Sequence, residues 1–565
     1  MVNIPETLAL AWQHHQAGRL PQAAQLYQEI LQQYPNQTDA LQLLGIIAAQ
    51  TDNHQLAAET RNNLGLALKK QGKLEEAITH YEQAIILQPD CAEFYSNLAS
   101  ALKMQNYSEE AIAYYQQALN LQPNSAEIHN NLGATLQELG WLEEAIASYQ
   151  LALTLQPSSV EIQYNLEMAL VEVVAYYQQA LTLNPNAPEV HTNLGNALRE
   201  QGQLEAAISH YQQALALNPN YLDAHNNLGV VLLEQGQPQA AITHYQQPLT
   251  LNSNSPNARY NLSIALLTSG DFCRGFTEYE WRWQKQDNPA RPFSQPLWDG
   301  SSLEGKTILL HGEQGLGDQI QFIRYVPLVA QFQGRIVVEC APSLVRLLST
   351  VAGISQLVAR GEALPAFDVH APLMSLPRLL GTTLETVPAQ IPYLHPTTSM
   401  PLRLKPPSIP LKVGIVWAGN PLFKGNYKRF CSLDYFLKLG IPDIAFYSLQ
   451  TGPQVEELTK LPQAPMQNLS KQLSDFADTA CVLAQLDLTI SVDTAVAHLA
   501  GALGKPVWVL LPFAPDWRWM LKREDSPWYP TMRLFRQSQA GDWAGVMKRV
   551  EQALHKYRNK LINMA

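Results

Sequence analysis

The sequence contains few cysteines and no long apolar run, and each absence argues against a class of protein. Five cysteines occur in 565 residues and show no paired spacing. This usage argues against a disulfide-stabilised secreted protein and favours a cytoplasmic one. Apolar runs of about 18 residues, which a transmembrane helix needs, do not occur. The amino terminus also lacks a basic start followed by an apolar core, so we expect no signal peptide.

Charged residues make up only 15% of the chain and are unevenly distributed. Residues 1–285 carry 11 basic and 27 acidic side chains, whereas residues 286–565 carry 27 basic and 22 acidic ones. An acidic first part would repel nucleic acid, and a basic second part suits an anionic ligand such as a nucleotide diphosphate. His/Cys metal spacings, a Walker motif and a nucleophile elbow are missing. We therefore predict neither nucleic-acid binding, nor a metal, nor a resident cofactor.

What the sequence does contain, up to about Trp283, is a repeat. An Asn-Leu pair recurs at steps of 34, 34, 34, 28, 34 and 34 residues, with glycine at the turn and proline after the second helix of most units. This period is the tetratricopeptide signature. It predicts an α-solenoid over residues 1–285, in which stacked helix pairs form a superhelix with a concave groove. Shortened spacings predict a missing helix near residues 45–65 and fused or shortened helices at 165–185.

The asparagine of each Asn-Leu pair lies on one track of the predicted solenoid. An amide can bond a peptide backbone through both its donor and its acceptor. The arrangement resembles the asparagine ladder of O-GlcNAc transferase solenoids, which implies binding of an extended protein or peptide. The alternative is that each asparagine bonds within its own repeat and binds no partner. The track consists of Asn63, Asn97, Asn131, Asn165, Asn193, Asn227 and Asn261.

Alternating strands and helices follow the repeats and indicate parallel sheets. Aromatic residues near the end of the last repeat predict a helix that docks the solenoid on the next domain. Proline-rich segments predict linkers at 286–300 and 396–410, which bound two α/β halves at 301–395 and 411–565. Strands are expected near residues 307–311, 335–340, 355–358, 367–370, 413–417, 444–449, 466–469, 488–492, 507–511 and 532–535. An amphipathic helix is expected at 543–557.

The predicted strand ending at Val492 is followed by Asp493, Thr494 and an alanine-rich helix. In an open parallel sheet, ligands bind at the carboxyl ends of the strands, where a helix presents unpaired N–H groups to an anion. Asp493 could fix a sugar or ribose hydroxyl and Thr494 could contact phosphate, with His498 one turn into the helix. The alternative is an ordinary strand-to-helix turn with a packed histidine.

Two stretches resemble motifs of heptosyltransferase-like glycosyltransferases. GLGDQIQFIRYVP, residues 315–327, resembles their first motif, and DTAVAHLAGALGKPVWVLL, residues 493–511, resembles their donor-site motif. The resemblance implies a GT-B fold of two Rossmann-like halves, with the acceptor on the first and a nucleotide-diphosphate sugar, as co-substrate, mainly on the second. It also implies a carboxy-terminal helix that crosses back to the first half. Ala495 replaces the glycine of the family's donor motif and leaves less room beside a diphosphate.

Asp318 matches the strand-end aspartate of the first motif. Inverting sugar transfer needs a base for the acceptor hydroxyl and positive charge or N–H dipoles for the departing diphosphate. We therefore predict Asp318 as the catalytic base, with Gly315 and Gly317 leaving space for the acceptor. The alternative is that Asp318 only caps the helix that begins beside it.

The second half supplies further candidates for donor binding. Arg429 falls where the family places a phosphate-binding lysine, and Lys428 could share that role; the alternative is a solvated basic loop. Gln450 ends a predicted strand and is a candidate contact to the base or ribose, or else a surface residue. The segment 515–530 is dense in tryptophan and arginine. Such a cluster could stack on a nucleobase, clamp the acceptor or hold domains together.

The prediction is a tetratricopeptide solenoid fused to a metal-independent, inverting glycosyltransferase that acts on an acceptor, which could be a protein recruited by the solenoid. Two alternatives stay open. One is a non-catalytic scaffold whose sugar-nucleotide domain is degenerate, which Ala495 and the small first half would suit. The other is a transferase for a lipid or polysaccharide acceptor, as the heptosyltransferase resemblance alone suggests.

Overall fold

The computed structural model describes residues 3–157, 159–285, 291–397, 404, 411–419, 429–461 and 463–562. Parts of both predicted linkers, residues 286–290, 398–403 and 405–410, lie outside these ranges, as does Lys428. The chain divides into two compact units, Met1–Tyr176 and Tyr177–Ala565.

The first unit is built of helices joined by short turns, as the repeat predicts. Its helices are α1 Ile4–Gln16, α2 Leu20–Gln33, α3 Thr38–Gln50, α4 His54–Lys70, α5 Leu74–Leu87, α6 Ala92–Met104, α7 Ser108–Leu121, α8 Ala126–Glu138 and α9 Leu142–Leu155. A tenth helix, α10 Val160–Leu183, begins in this unit and ends in the second.

Both predicted irregularities of the repeat are confirmed. The 24 residues of α10 form one continuous helix, because the glycine turn that would divide them is missing from the sequence. Near residue 50, α3 is followed directly by the 17-residue α4, which packs on both α3 and α5. One helix of the regular pattern is therefore absent there.

In four repeats, a glycine of the first helix faces a tyrosine ring of the second helix. A Cβ atom built on Gly65 would lie 2.6 Å from the Tyr81 ring, so only glycine allows this approach. Between the two helices, a glycine adopts a left-handed backbone, for example Gly202 with φ +77°. Where the repeat lacks this glycine, Asn106 takes the conformation with φ +66°, which asparagine tolerates better than most residues.

The second unit begins with the remaining repeat helices. They are α11 Pro188–Glu200, α12 Leu204–Leu217, α13 Leu222–Glu234, α14 Pro238–Leu251, α15 Pro256–Ser269 and α16 Phe272–Tyr279. The predicted docking role of the last repeat is confirmed, because Phe276 meets Trp517 edge-on at 5.6 Å and Phe272 stacks on Trp528 at 5.8 Å.

A first parallel sheet follows, with strand order β3-β2-β1-β4. Its strands are apolar runs buried by short helices, which is typical of parallel sheets. The strands are β1 Thr307–His311, β2 Arg335–Cys340, β3 Gln356–Ala359 and β4 Val369–Pro372, and the helices are α17 Leu316–Phe322, α18 Val326–Val329, α19 Val345–Leu348 and α20 Leu376–Leu379. All four strands lie within two residues of their predicted positions.

The second sheet is also parallel, with order β10-β9-β8-β5-β6-β7. The strands are β5 Leu411–Val416, β6 Ile444–Ser448, β7 Met466–Asn468, β8 Leu488–Val492, β9 Val507–Leu511 and β10 Met532–Arg536. The helices are α21 Leu433–Leu437, α22 Val455–Thr459, α23 Phe476–Ala484, α24 Ala495–Ala502 and α25 Trp543–Ile562. The strand order reverses between β5 and β8, where open sheets of this type bind ligands.

The carboxy-terminal helix corrects one expectation. The resemblance implied that it crosses back to the first half, but the described contacts place α25 on the second sheet. The physical reason is its apolar face, which matches the apolar side chains of β9 and β10. The residues of this contact are Val546, Met547, Val550, Ala553 and Leu554 on the helix, and Trp508, Leu510 and Phe535 on the sheet.

Candidate functional site

The turn after β8 lies at the reversal point of the second sheet. Asp493 follows the last residue of the strand and is only 8% exposed. The Arg429 guanidinium lies 3.2 Å from one carboxylate oxygen of Asp493. The structure thus brings together two of the predicted donor-binding residues, although they are 64 positions apart in the sequence.

Thr494 leads into α24 without using its side chain as a helix cap. Its hydroxyl lies 2.9 Å from the Ser491 hydroxyl instead. The N–H groups in the first turn of α24 can therefore serve an anion, together with the positive end of the helix dipole. Ala495, the first helical residue, is half-buried.

His498 lies inside this site as a neutral group. Its Nδ1 atom is 3.0 Å from the Tyr529 hydroxyl, and its ring stacks on Trp519 at 5.2 Å. Burial, helped by the nearby Arg518 guanidinium, lowers the pKa of His498 to about 3. The Nε2 atom lies 4.0 Å from an Asp493 oxygen. Because the ring is neutral at physiological pH, this approach is not an ion pair.

The glycine-rich turn of the first sheet packs directly against α24. The helix begins at Leu316, ahead of Asp318, so Asp318 is not the N-cap of a helix from Gln319 onward. It is the third helical residue, and one of its oxygens accepts a hydrogen bond of 2.8 Å from the Gly315 N–H, which caps the first turn from inside. A Cβ atom built on Gly317 would lie 3.0 Å from the His498 ring. Gly317 therefore permits the close approach of α17 to α24, and space for an acceptor beside these glycines stays a prediction.

A chain of ion pairs links the two strand-end turns. Arg518 pairs with Asp318 and also donates to Asp516 at 2.8 Å. Arg429 lies 3.7 Å from Asp516 and pairs with Asp493 as described above. The order of groups is therefore Asp318, Arg518, Asp516, Arg429, Asp493. Each of the three carboxylates contacts a guanidinium group, but two guanidinium groups face three carboxylates, so the cluster carries a net charge of −1 when all three are ionised.

The three carboxylates in this series of ion pairs differ in acidity. Burial raises the pKa of Asp318, and the attraction of Arg518 does not cancel this effect. Burial also raises the pKa of Asp493 in spite of Arg429. Burial also favours a higher pKa for Asp516. The ion pairs with Arg518 and Arg429 outweigh this effect, so the pKa of Asp516 is lowered. Asp318 is therefore the more basic of the two carboxylates that Arg518 contacts.

Gln450 lies inside the fold and not on a surface loop. Its Oε1 atom accepts from the N–H groups of Trp417 and Ala418 at 3.2 and 3.1 Å. Its Nε2 atom donates to the carbonyls of Ala418 and Thr451 at 3.1 and 3.0 Å. The side chain holds the ends of β5 and β6 together, and contact with a nucleotide stays a prediction. The other candidate from this half, Lys428, lies outside the described residues.

The tryptophan- and arginine-rich segment 515–530 holds parts of the second unit together. Trp517 contacts Phe272 and Phe276 of α16. Arg518 donates to Gln321 at 2.8 Å in addition to its carboxylate partners. The sequence indicated this segment only as a group. The sequence did not reveal individual roles for Asp516, Arg518 and Tyr529. These residues have partners outside the segment 515–530, and such partners become evident only in the tertiary structure.

The asparagine track bonds between repeats. In the first unit, Asn97 donates to Asn62 at 2.9 Å and Asn165 donates to Asn130 at 3.0 Å. In the second unit, Asn227 donates to Asn196 at 2.9 Å and Asn261 donates to Asn226 at 2.7 Å. These four bonds join neighbouring repeats, which neither interpretation of the track anticipated. Asn63 and Asn193 are exposed, Asn131 is half-buried, and peptide binding by the track stays a prediction.

No described helix combines the length and the apolar character that crossing a bilayer requires. Over the same residues, no cluster of three or more His, Cys, Asp or Glu side chains is arranged to hold a metal ion.

The fold and the repeats show a tetratricopeptide solenoid that is followed by an α/β region. Models of the TPR repeat match residues 58–106, 107–140 and 195–236. Other tetratricopeptide models match residues 8–60, 126–159, 176–209 and 226–279. Repeats of this class bind proteins or peptides, so the solenoid is a protein-interaction module.

Among curated proteins, the chain is similar to protein FlbA of Caulobacter vibrioides, with 29% identity over 313 residues. The match covers 50% of this chain and 52% of FlbA, so the chain spans about half the length of that relative. Among solved structures, YrrB, described as a TPR protein with an unusual peptide-binding site, is 19% identical and covers 38% of this chain and 95% of its own, with a TM-score of 0.20. The TPR2AB domain of yeast Sti1 is 19% identical and covers 40% and 88%, with a TM-score of 0.22.

Proposed function

We propose that the α/β region is a GT-B glycosyltransferase that moves a sugar from a nucleotide-diphosphate donor to an acceptor hydroxyl. The observation that carries the proposal is the ion-pair chain from Asp318 to Asp493, because it joins the two motifs that resemble glycosyltransferase motifs. The repeats would recruit the acceptor, which we propose to be a protein. The five cysteines are free, which supports the proposed cytoplasmic location.

Asp318 is the proposed general base. It takes the proton of the acceptor hydroxyl while that oxygen attacks the anomeric carbon of the sugar. The bond from this carbon to the diphosphate oxygen breaks, and its electron pair leaves with the nucleotide diphosphate. The raised pKa of Asp318 makes it a stronger base than an exposed aspartate. Because Arg518 occupies one Asp318 oxygen, acceptor binding must displace that contact.

Arg429 and the first turn of α24 are the proposed site for the diphosphate. The guanidinium and the helix N–H groups would neutralise the charge that develops on the leaving group. When Arg429 turns to phosphate, its present partner Asp493 becomes available to a sugar or ribose hydroxyl. His498 is neutral and would act as a hydrogen-bonding group without carrying charge.

A second candidate function is supported by the state of Asp318. Both of its oxygens are engaged, one by Arg518 and the other by the Gly315 N–H. Gly317 also lies directly against His498. These contacts favour a binding scaffold in which Asp318 is a structural cap and no sugar is transferred.

The donor site can be tested through thermal stability in the presence of nucleotide diphosphates and nucleotide sugars. A ligand at about 100 times its dissociation constant adds about 2.7 kcal/mol to stability. We expect one nucleotide family to raise the melting temperature of the wild-type chain and of Asp434→Ala, an exposed control, but not that of Asp493→Ala. Absence of a shift with every compound would contradict the donor site.

Catalysis is tested with the nucleotide sugar identified in this way, using peptide and glycan acceptors. Removal of a general base costs about 10²- to 10⁴-fold in rate. We therefore expect Asp318→Asn to bind the donor normally and to lose transfer by about that factor. Full activity in both Asp318→Asn and Asp493→Ala would refute the proposed mechanism. Donor binding by the wild type without any product would favour the scaffold.

A further inference from the structure

A polar cavity lies at the edge of the second sheet and shares no lining residue with the site around Asp493. It has a volume of about 590 Å³ and is walled by α25, the end of β10 and the segment 522–524. Glu524 is the acidic residue in its lining. Its cationic residues are Lys522, Arg523, Arg533, Arg536, Arg549 and Lys556.

Hydrogen bonds hold two walls of this cavity in place. The Leu534 N–H donates to the Glu524 carbonyl at 2.7 Å, so the segment 522–524 runs beside the edge strand β10. Arg536 donates to the carbonyls of Trp519, Met520 and Arg523 at 3.0, 2.7 and 3.2 Å. The cationic groups near this segment are therefore positioned by the fold, which limits the entropy lost when a ligand binds.

The third wall is one face of α25. Arg549, Gln552, Ala553 and Lys556 are spaced three and four residues apart, so they lie on the same side of the helix. Arg549 donates to the Arg536 carbonyl and thereby ties this face to the end of β10. Cations from sequence positions 522 to 556 thus converge on one concave surface.

Half of these cations lack an acidic partner. Arg523 pairs with Asp525 at 2.7 Å, Arg533 lies 3.6 Å from Glu524, and Arg549 interacts electrostatically with Asp542. Among the described residues, Lys522 and Lys556 form no ion pair, and Arg536 donates to carbonyl groups instead. Concave surfaces lined by charge of one sign focus the electrostatic field and attract ions of the opposite sign.

We infer that this cavity binds a compact anion that carries one or more phosphate groups, at a site separate from the proposed donor site. The volume lies in the range of small-molecule sites, about 300–1,000 Å³, which favours a compact ligand over a polymer. A phosphate group offers several acceptor oxygens and up to about two charges. It can therefore satisfy guanidinium and ammonium groups together, whereas one carboxylate would leave most of them uncompensated.

The test is calorimetric titration of the full chain with sodium pyrophosphate and with inorganic phosphate. The informative variant is Lys522→Glu/Lys556→Glu, because neither lysine has a bond in the described structure that its loss would break. The matched control is Lys548→Glu/Lys560→Glu, which makes the same charge change through two exposed lysines of α25 that do not line the cavity.

We expect the wild type and the control to bind pyrophosphate with similar affinity. The cavity variant should bind at least about tenfold more weakly, which corresponds to about 1.4 kcal/mol. Inorganic phosphate should also bind the cavity variant more weakly than the wild type and the control, and it should bind each of them more weakly than pyrophosphate does. Raising the salt concentration should weaken binding, since the cavity is partly open to solvent.

Three results would overturn the inference. The first is no binding of either anion by the wild type. The second is an equal loss in the cavity variant and the control, which would indicate a general effect of net charge. The third is binding that survives in the cavity variant but disappears in Arg429→Ala, which would place the anion at the turn after β8.

Discussion

His498 is a neutral group in the middle of charged ones. Asp493, Arg518 and the Tyr529 hydroxyl face its ring from three elements, and Trp519 covers one side. Burial and Arg518 disfavour the protonated form more than Asp516 favours it, so the pKa of His498 falls to about 3. The folded state therefore holds His498 in its neutral form.

The first prediction concerns how stability depends on pH at this histidine. An unfolded histidine has a pKa of about 6.5, so the folded value is depressed. The stability that His498 contributes in its neutral form is therefore fully present above pH 6.5 and is lost as the pH falls from 6.5 toward the folded-state pKa. Between pH 8 and pH 5, the wild type should lose about 2 kcal/mol more than His498→Gln, which has no ring to protonate.

Urea unfolding followed by tryptophan fluorescence measures this difference, since Trp519 stacks on the histidine. His555→Gln, at an exposed position of α25, is the control and should keep the pH dependence of the wild type. The same pH dependence in His498→Gln as in the wild type would show that the ring is not held neutral.

At the scale of the element, the repeat helices depend on contact between a glycine and a tyrosine. In the second unit, a Cβ atom built on Gly195 would lie 2.6 Å from the Tyr211 ring. The tyrosine is fully buried and donates to Asn196 at 2.8 Å, so the ring has little freedom to move aside. The helix pair therefore tolerates no side chain at this position without a shift.

Gly195→Ala is expected to destabilise the chain by about 1–3 kcal/mol through overpacking. Helix propensity alone predicts the opposite, since alanine in a helix is about 1 kcal/mol better than glycine. Gly440→Ala serves as the control, because no described atom lies within 4 Å of the added methyl group. Thermal unfolding of both variants measures the effect, and a melting temperature that rises in Gly195→Ala would contradict the packing argument.

Strand positions were predictable because most strands, such as β8 and β9, are short apolar runs buried along their whole length. The last helix, α25, was located correctly but its packing partner was not, since an amphipathic face does not specify which apolar surface it covers. The bonding partners of the asparagine track were likewise not specified by the sequence pattern. Its period is visible in the sequence, but its acceptors, such as Asn62 and Asn226, became evident only once neighbouring repeats were stacked.

At the scale of the whole second unit, the last repeat is joined to the first sheet through a buried ion pair. Arg282 is 1% exposed and donates to both oxygens of Glu313, at 2.8 and 3.0 Å. Its further partners are Glu280 and the Ser375 hydroxyl, both at 2.8 Å. Glu313 lies between β1 and the glycine-rich turn that carries Asp318, so the repeats position that turn.

Breaking this pair should be costly. Arg282→Met leaves the Glu313 carboxylate buried without its main partner, which typically costs about 3–5 kcal/mol. Arg282→Met/Glu313→Leu should recover part of that loss, because the buried charge of Glu313 is removed together with its partner. Arg274→Met in α16 removes an exposed pair with Asp271 and should change stability by less than about 1 kcal/mol. A double-mutant cycle by urea unfolding measures the coupling, and additive effects of the two changes would contradict it.

The sequence by itself determined the repeat period, the helix pairs, most strand positions and the polar turns after β1 and β8, because these features depend on neighbours a few residues apart. Only the tertiary structure decided that Asp318, Arg518, Asp516, Arg429 and Asp493 form one chain of ion pairs, and that six cations surround one cavity. The physical reason is distance along the chain. Asp318 and Arg518 are 200 residues apart, and only the packing of the elements brings such side chains within bonding range.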